Sequence, residues 1–164
     1  MFILAQIIGL FSFLIALVAY HQKTKKKILS TMIISNTLNF IHYFLLDAIS
    51  GGITKIVAVI RDILIINKKN SKSIFYIFVI IYLILGISLY DNLLSIIPIL
   101  ASFITTIAAF FGSPYIIKIV ALLTFTLWLI YNIFVLSFAG ILSNIVAIIS
   151  TIFAIKKVKT KFKT

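Results

Sequence analysis

The sequence predicts an all-α membrane protein of seven transmembrane helices, arranged as two parallel three-helix bundles joined by a linker helix. Three observations lead there. Apolar runs of about twenty residues recur along the chain, Lys and Arg fall in alternate connections, and the second half repeats the first at a fixed offset. Of the 164 residues, 63% are hydrophobic and only 11% are charged, and the mean hydropathy is +1.26. A soluble domain of this length has too little interior to hide that much apolar surface. A helix rises about 1.5 Å per residue, so each run reaches across a hydrocarbon layer roughly 30 Å thick.

The first run, Phe2 to Tyr20, precedes the basic stretch His21 to Lys27. No positive segment leads into it and Ala19-Tyr20-His21 is a poor cleavage site, so it is expected to remain in the mature protein. The second, Ile28 to Leu46, is bounded by Gly51-Gly52, and the third, Gly52 to Ile66, by Asn67 to Lys72. The fourth, Ile74 to Leu89, stops at Asp91-Asn92, and the fifth, Leu93 to Phe111, at the turn Gly112-Ser113-Pro114. The sixth, Tyr115 to Leu136, and the seventh, Ala139 to Ile155, are separated near Gly140. Gly, Pro, Asn and Asp are the residues that punctuate helices, and none of these connections has room for a soluble domain. The expected division is residues 1–72 as the first bundle, 73–91 as the linker helix and 92–164 as the second bundle with a basic tail.

Fifteen Lys and Arg against three acidic residues, Asp47, Asp62 and Asp91, give a net charge of +12. Such a balance is compatible with nucleic acid only where a folded basic surface exists; here the charges cluster at the ends of apolar runs, which excludes that partner. Lys23, Lys25, Lys26, Lys27, Lys68, Lys69, Lys72, Lys118, Lys156, Lys157, Lys159, Lys161 and Lys163 all fall on one side of a seven-span chain, while the opposite connections hold Asp47 and Asp91. Basic loops stay in the cytoplasm, so the expected setting is a bacterial cytoplasmic membrane with the N-terminus outside and the C-terminus inside. The tail from Lys156 to Lys163 is a stop-transfer flank or a holder of anionic lipid headgroups. Membrane lipids are therefore expected partners, and a homo-oligomer is left open by the pattern.

Shifting the sequence by 89 residues aligns Ile28–Lys72 with Ile117–Lys161 without a gap. Thr37-Leu38 meets Thr126-Leu127, Gly51 meets Gly140, Ile56-Val57-Ala58 meets Ile145-Val146-Ala147, and Lys68 meets Lys157. The same shift sets Gly9 opposite Pro98, both in the middle of a span. With one span between the copies, the two bundles run the same way through the membrane. Parallel repeats of this kind build carriers whose substrate site lies between the halves.

The layout resembles the SWEET and PQ-loop superfamily. Gln6 with Gly9, His21-Gln22-Lys23, Ile41-His42-Tyr43 with Leu45-Leu46, Arg61 and Trp128-Leu129-Ile130-Tyr131-Asn132 resemble the YgjV family of bacterial inner-membrane proteins, over nearly the whole chain. The superfamily resemblance implies movement of sugars or related small polar solutes by alternating access, with hinged first helices and a pocket lined by Trp and Asn. This chain departs from that pattern in having Gly9 in place of a proline and no Pro-Gln pair. Gly9 and Pro98 are the candidate hinges, since Pro98 frees a carbonyl inside its helix.

Polar side chains inside the spans are costly unless they face another helix or a wet cavity, which makes them the functional pointers. Ser35, Asn39 and His42 lie at i, i+4 and i+7, on one helical face. Their counterparts under the 89-residue shift are Thr124, Trp128 and Tyr131, and Asn36 and Asn132 flank the two stripes. Together with Asn144 these predict a substrate pocket of Asn36, Asn39, His42, Trp128, Tyr131, Asn132 and Asn144, in which amides bond a solute's polar groups and Trp128 stacks on its body. The competing reading is hydrogen bonding between helices.

The third span carries Lys55, Arg61 and Asp62, whose shifted counterparts Asn144, Ser150 and Thr151 are also polar. Arg61 and Asp62 either pair and neutralise each other, with a neighbouring helix as a further source of partners because adjacent side chains diverge, or serve as a substrate anchor and a proton-coupling carboxylate. Lys55 is a further charge or coupling candidate, or it simply snorkels toward the nearer surface. His42 is a hydrogen-bonded packing residue, a pocket wall or a pH-sensitive gate. One embedded His and distant carboxylates are too few for a metal, and no cofactor motif is present. The absence of Cys, Glu and any nucleophile motif argues against an enzyme. The predicted function is a transporter or facilitator of a small polar solute such as a sugar, nucleoside or vitamin; the alternative is a receptor or accessory subunit that moves nothing.

Overall fold

A computed structural model describes residues 1–67 and 71–161, with side chains as far as Phe153. Among these residues there are seven helices and no strand: α1 (Phe2–His21), α2 (Lys25–Leu45), α3 (Ile49–Ile66), α4 (Lys72–Ser88), α5 (Leu93–Phe111), α6 (Pro114–Phe134) and α7 (Phe138–Lys161). Lys68, Lys69 and Lys163, and the side chains of Lys156, Lys157, Lys159 and Lys161, lie outside the described residues.

Local chemistry sets the helix starts. Thr24 accepts the Lys27 N–H, so α2 begins within the basic stretch, three residues before the apolar run. Ser71, Asn92 and Ser113 cap α4, α5 and α6 through the N–H groups of Ile74, Leu94 and Ile116, and Pro114 occupies the first turn of α6, where its missing N–H costs nothing. Gly51-Gly52 and Gly140 do not break helices as their composition predicts; they lie inside the first turns of α3 and α7. The reason is close approach. A Cβ on Gly51 would lie 2.9 Å from Tyr131 Cε1 and 3.2 Å from Tyr43 Cγ, and one on Gly140 would lie 2.5 Å from Asn132 Cγ.

α1, α2, α5 and α6 are each long and apolar enough to cross a membrane. α3 reaches 18 residues but carries Lys55, Arg61 and Asp62, and α4 is apolar and one residue shorter. Large apolar side chains such as Leu4, Phe11, Ile80 and Leu123 are exposed, while Ser12, Asn36, Arg61, Asp62 and Asn132 are buried. This distribution, apolar outside and polar within, suits a bilayer as solvent.

α2 packs between α1 and α3, α6 packs between α5 and α7, and the ring closes through α3 on α5 and α1 on α7. These pairings are unchanged when α1, α2, α3 are exchanged with α5, α6, α7. α4 stands outside the ring on α5, fastened by Phe78 and Tyr82 to a cluster that includes Val57, Ile99 and Phe110. Ser12 and Ser35 join α1 to α2 reciprocally, each hydroxyl donating to the other's carbonyl at 2.8 and 3.0 Å.

The α2–α3 and α6–α7 turns share one backbone form. Asp47 and Leu136 have φ of 55° and 53°, and in each turn the next residue's N–H returns to the carbonyl five residues before it: Ala48 to Tyr43 at 2.9 Å, and Ser137 to Asn132 at 3.0 Å. The end of the bundle carrying these turns is called upper below; the α1–α2 and α5–α6 turns mark the lower end.

Candidate functional site

α2 and α6 face each other across the ring and touch at both ends. At the lower end Ile28 of α2, Ile117 of α6 and Ala108 of α5 pack together, with Met32 and Val120 against them. At the upper end Tyr43 of α2 meets Trp128 and Tyr131 of α6, its ring stacked on the indole at 5.5 Å between centroids. The Tyr43 hydroxyl donates to Asn132 Oδ1 at 2.8 Å. Between the two contacts lies a cavity of about 100 Å³, room for roughly seven to ten water-sized groups.

Five of the seven predicted pocket residues line it: Asn36 and Asn39 on α2, Trp128 and Asn132 on α6, and Asn144 on α7. The Asn36 and Asn39 amides have no hydrogen-bond partner among the described residues, and they are open to the cavity, since the one sealed side-chain atom lacking a partner is Asp62 Oδ2. Asn144 Nδ2 donates to the Gly140 carbonyl at 2.9 Å, leaving its Oδ1 free to accept. Asn132, held by Tyr43 through Oδ1, keeps its amide N–H groups. These amide groups remain free to hydrogen-bond a polar solute in the cavity.

His42 and Tyr131 depart from expectation: neither lines the cavity. His42 is 1% exposed and both its ring nitrogens are occupied. Nδ1 lies 2.6 Å from the Ala5 carbonyl, which only accepts, so Nδ1 carries the proton. Nε2 lies 2.7 Å from Ser137 Oγ, which accepts the Gly140 N–H at 3.1 Å and donates its own proton to the ring. His42 thus ties α1 to the first turn of α7. Gly9 makes this contact fit, because a Cβ there would lie 2.9 Å from the imidazole and 2.8 Å from Ala139 Cβ. Gln6 reinforces the same joint, with Oε1 accepting the Ala139 N–H at 2.9 Å. Tyr131 is likewise taken up in packing, its hydroxyl 3.2 Å from Ser50 Oγ and accepting the Gly51 N–H at 3.2 Å.

On α3, Arg61 folds back onto its neighbour Asp62, the neutralising pair that the sequence suggests. Its Nε and Nη2 both lie 2.8 Å from Asp62 Oδ1, and Nη1 donates to Thr106 Oγ1 at 3.0 Å. Tyr82 of α4 stands 3.1 Å from the same hydroxyl, so one network joins α3, α4 and α5. Arg61 lines the cavity and Asp62 does not. Lys55 does not snorkel: its ammonium sits over the Trp128 ring, 3.6 Å from the centroid, and its stem lines the cavity. Pro98 is buried within a continuous α5 and Gly9 lies on the cavity wall.

Sequence reasoning missed Tyr43, which its 89-residue relation to Asn132 would have singled out. It also missed the α5 hydroxyls Ser102 and Thr105 and the lower aromatic pair Tyr20 and Phe125, whose rings meet edge to face at 5.1 Å. Ser102, Thr105 and Thr106 are a polar cluster in an otherwise apolar run, which was the available signal.

A ring of helices with apolar outer faces around a cavity that carries polar side chains defines a multi-pass integral membrane protein. The model of the family described as bacterial inner membrane protein, Imp-YgjV, matches residues 3–161, and the chain belongs to that family. It is similar to inner membrane protein YgjV of Escherichia coli (strain K12), with 23% identity over 137 residues that cover 84% of this chain and 74% of the relative. No solved structure matches.

Proposed function

We propose that this inner-membrane protein is a facilitator of a small polar solute, which it moves by alternating access through the cavity between α2 and α6. The observation that carries this reading is the pairing of amides that lack a protein partner with a cavity between the two halves: Asn36 and Asn39 offer donors and acceptors to it, and side-chain contacts between α2 and α6 narrow it above and below. The closing contacts are made by residues related by the 89-residue shift, Ile28 with Ile117 and Tyr43 with Asn132. Opening one end therefore separates α2 from α6 there while the other contact holds, which is the geometry of an occluded carrier. In this reading the upper end faces outward and the lower end the cytoplasm, as the basic connections require.

Uptake into proteoliposomes of labelled sugars, nucleosides and vitamins tests it. Flux of one class is expected with the intact protein and is lost in the Asn39→Ala, Trp128→Ala, Asn144→Ala triple variant that still folds. Absence of flux for every class would reject transport in favour of an accessory subunit.

A further inference from the structure

We propose that the cavity binds a small carboxylate, with Lys55 as the residue that holds its charge; this rests on the cavity being the solute site. The argument begins with charge. The chain has three acidic side chains; Asp47 and Asp91 are exposed at the upper turns, and Asp62 is engaged by two nitrogens of Arg61. The Arg61–Asp62 pair is the one ion pair among the described residues and sums to zero. Lys55 is left as net positive charge on the cavity wall, and Asp62 stands seven residues further along α3, about 10 Å down the helix axis.

An ammonium among helices is costly without an opposing charge. The Trp128 face compensates Lys55 only in part, by a cation–π contact typically weaker than an ion pair in a dry site. Lys55 also lies six residues, about 9 Å, below the start of α3, and it turns inward onto Trp128 instead of up toward water. A carboxylate in the cavity meets the Lys55 ammonium and the amide N–H groups of Asn36 and Asn39, while its body rests among Trp128, Phe13 and Phe125. The space of about 100 Å³ matches a short or single-ring acid and is tight for anything as large as a disaccharide. Polar amides and one cation set among aromatic rings fit an organic monoanion better than an inorganic one.

Trp128 is the only tryptophan in the chain, so its fluorescence reports directly on the cavity. The test titrates the detergent-purified full chain with pyruvate, isobutyrate and benzoate, with benzamide as the neutral partner of benzoate and chloride as the inorganic control. A saturable change is expected with at least one carboxylate and with neither control. Lys55→Met should weaken that binding about ten- to hundredfold, the scale of a lost charged hydrogen bond, and Lys55→Arg should hold it within roughly tenfold. No saturable response to any carboxylate, an equal response to benzamide or chloride, or unchanged affinity in folded Lys55→Met overturns the proposal. Flux of a neutral solute without carboxylate binding would remove the anion site and leave the transport reading standing; carboxylate binding without flux of any solute would do the reverse.

Discussion

The hydroxyl of Tyr43 donates to Oδ1 of Asn132 at 2.8 Å, joining two residues 89 positions apart in the chain. They occupy the same place on α2 and α6, the shift that also relates Ile28 to Ile117 at the lower contact and Asp47 to Leu136 in the two left-handed turns. Tyr43→Phe removes the donor and leaves the Tyr43 ring stacked on Trp128. The expected loss is about 1 kcal/mol of stability, read as a lower unfolding midpoint in detergent, with faster thiol labelling of a cysteine placed at Asn144. Unchanged labelling would show that this bond does not hold the upper end shut.

Gly9 serves a close contact before it serves flexibility. Gly9→Ala drives a methyl group into His42 and Ala139, and an overpacked contact of this kind costs about 1–3 kcal/mol. The unfolding midpoint should fall. A Gly9→Ala protein of full stability but reduced flux would instead make Gly9 a hinge.

Asp62 is wholly buried and its Oδ2 has no partner, so Arg61 alone supports the carboxylate. Asp62→Asn leaves the guanidinium unpaired and should cost roughly 3–5 kcal/mol, whereas replacing both residues by Leu and Met should recover most of that loss. Yield and unfolding midpoint of the single and double variants decide it; a stable single variant would mean that Arg61 has another counter-charge.

Much of the fold could be read from the sequence because the bilayer leaves a short menu: every expected span corresponds to a helix, with ends displaced by three residues or fewer except at the end of α7, which runs six residues beyond Ile155. The glycine pairs were harder. Gly51 and Gly140 look like breakers, yet between membrane helices a missing Cβ allows backbones to approach, and that use prevailed. The site was legible where periodicity sufficed, as for Asn39 and Trp128. It failed for His42, which shares their stripe but lies a turn higher, where α1 and the start of α7 close over α2. The expected pairing of Arg61 with Asp62 is present although adjacent side chains on a helix diverge at Cβ, because the long arginine stem bends back.

Leu136 holds a left-handed backbone that favours glycine, at a cost of about 1–2 kcal/mol. It is 60% exposed, so little packing is lost on replacement. Leu136→Gly should therefore raise the unfolding midpoint, by the equivalent of about 1 kcal/mol. A fall would show that the leucine side chain anchors the turn.

The central claim is that α2 and α6 must part for solute to pass, and the chain's lack of cysteine makes this directly testable. With Ile28→Cys and Ile117→Cys in place, proteoliposome uptake is measured before oxidation, after cross-linking of the pair, and after reduction. The account predicts flux that falls to background when the lower contact is locked and returns on reduction; flux that continues through the cross-linked protein would contradict it.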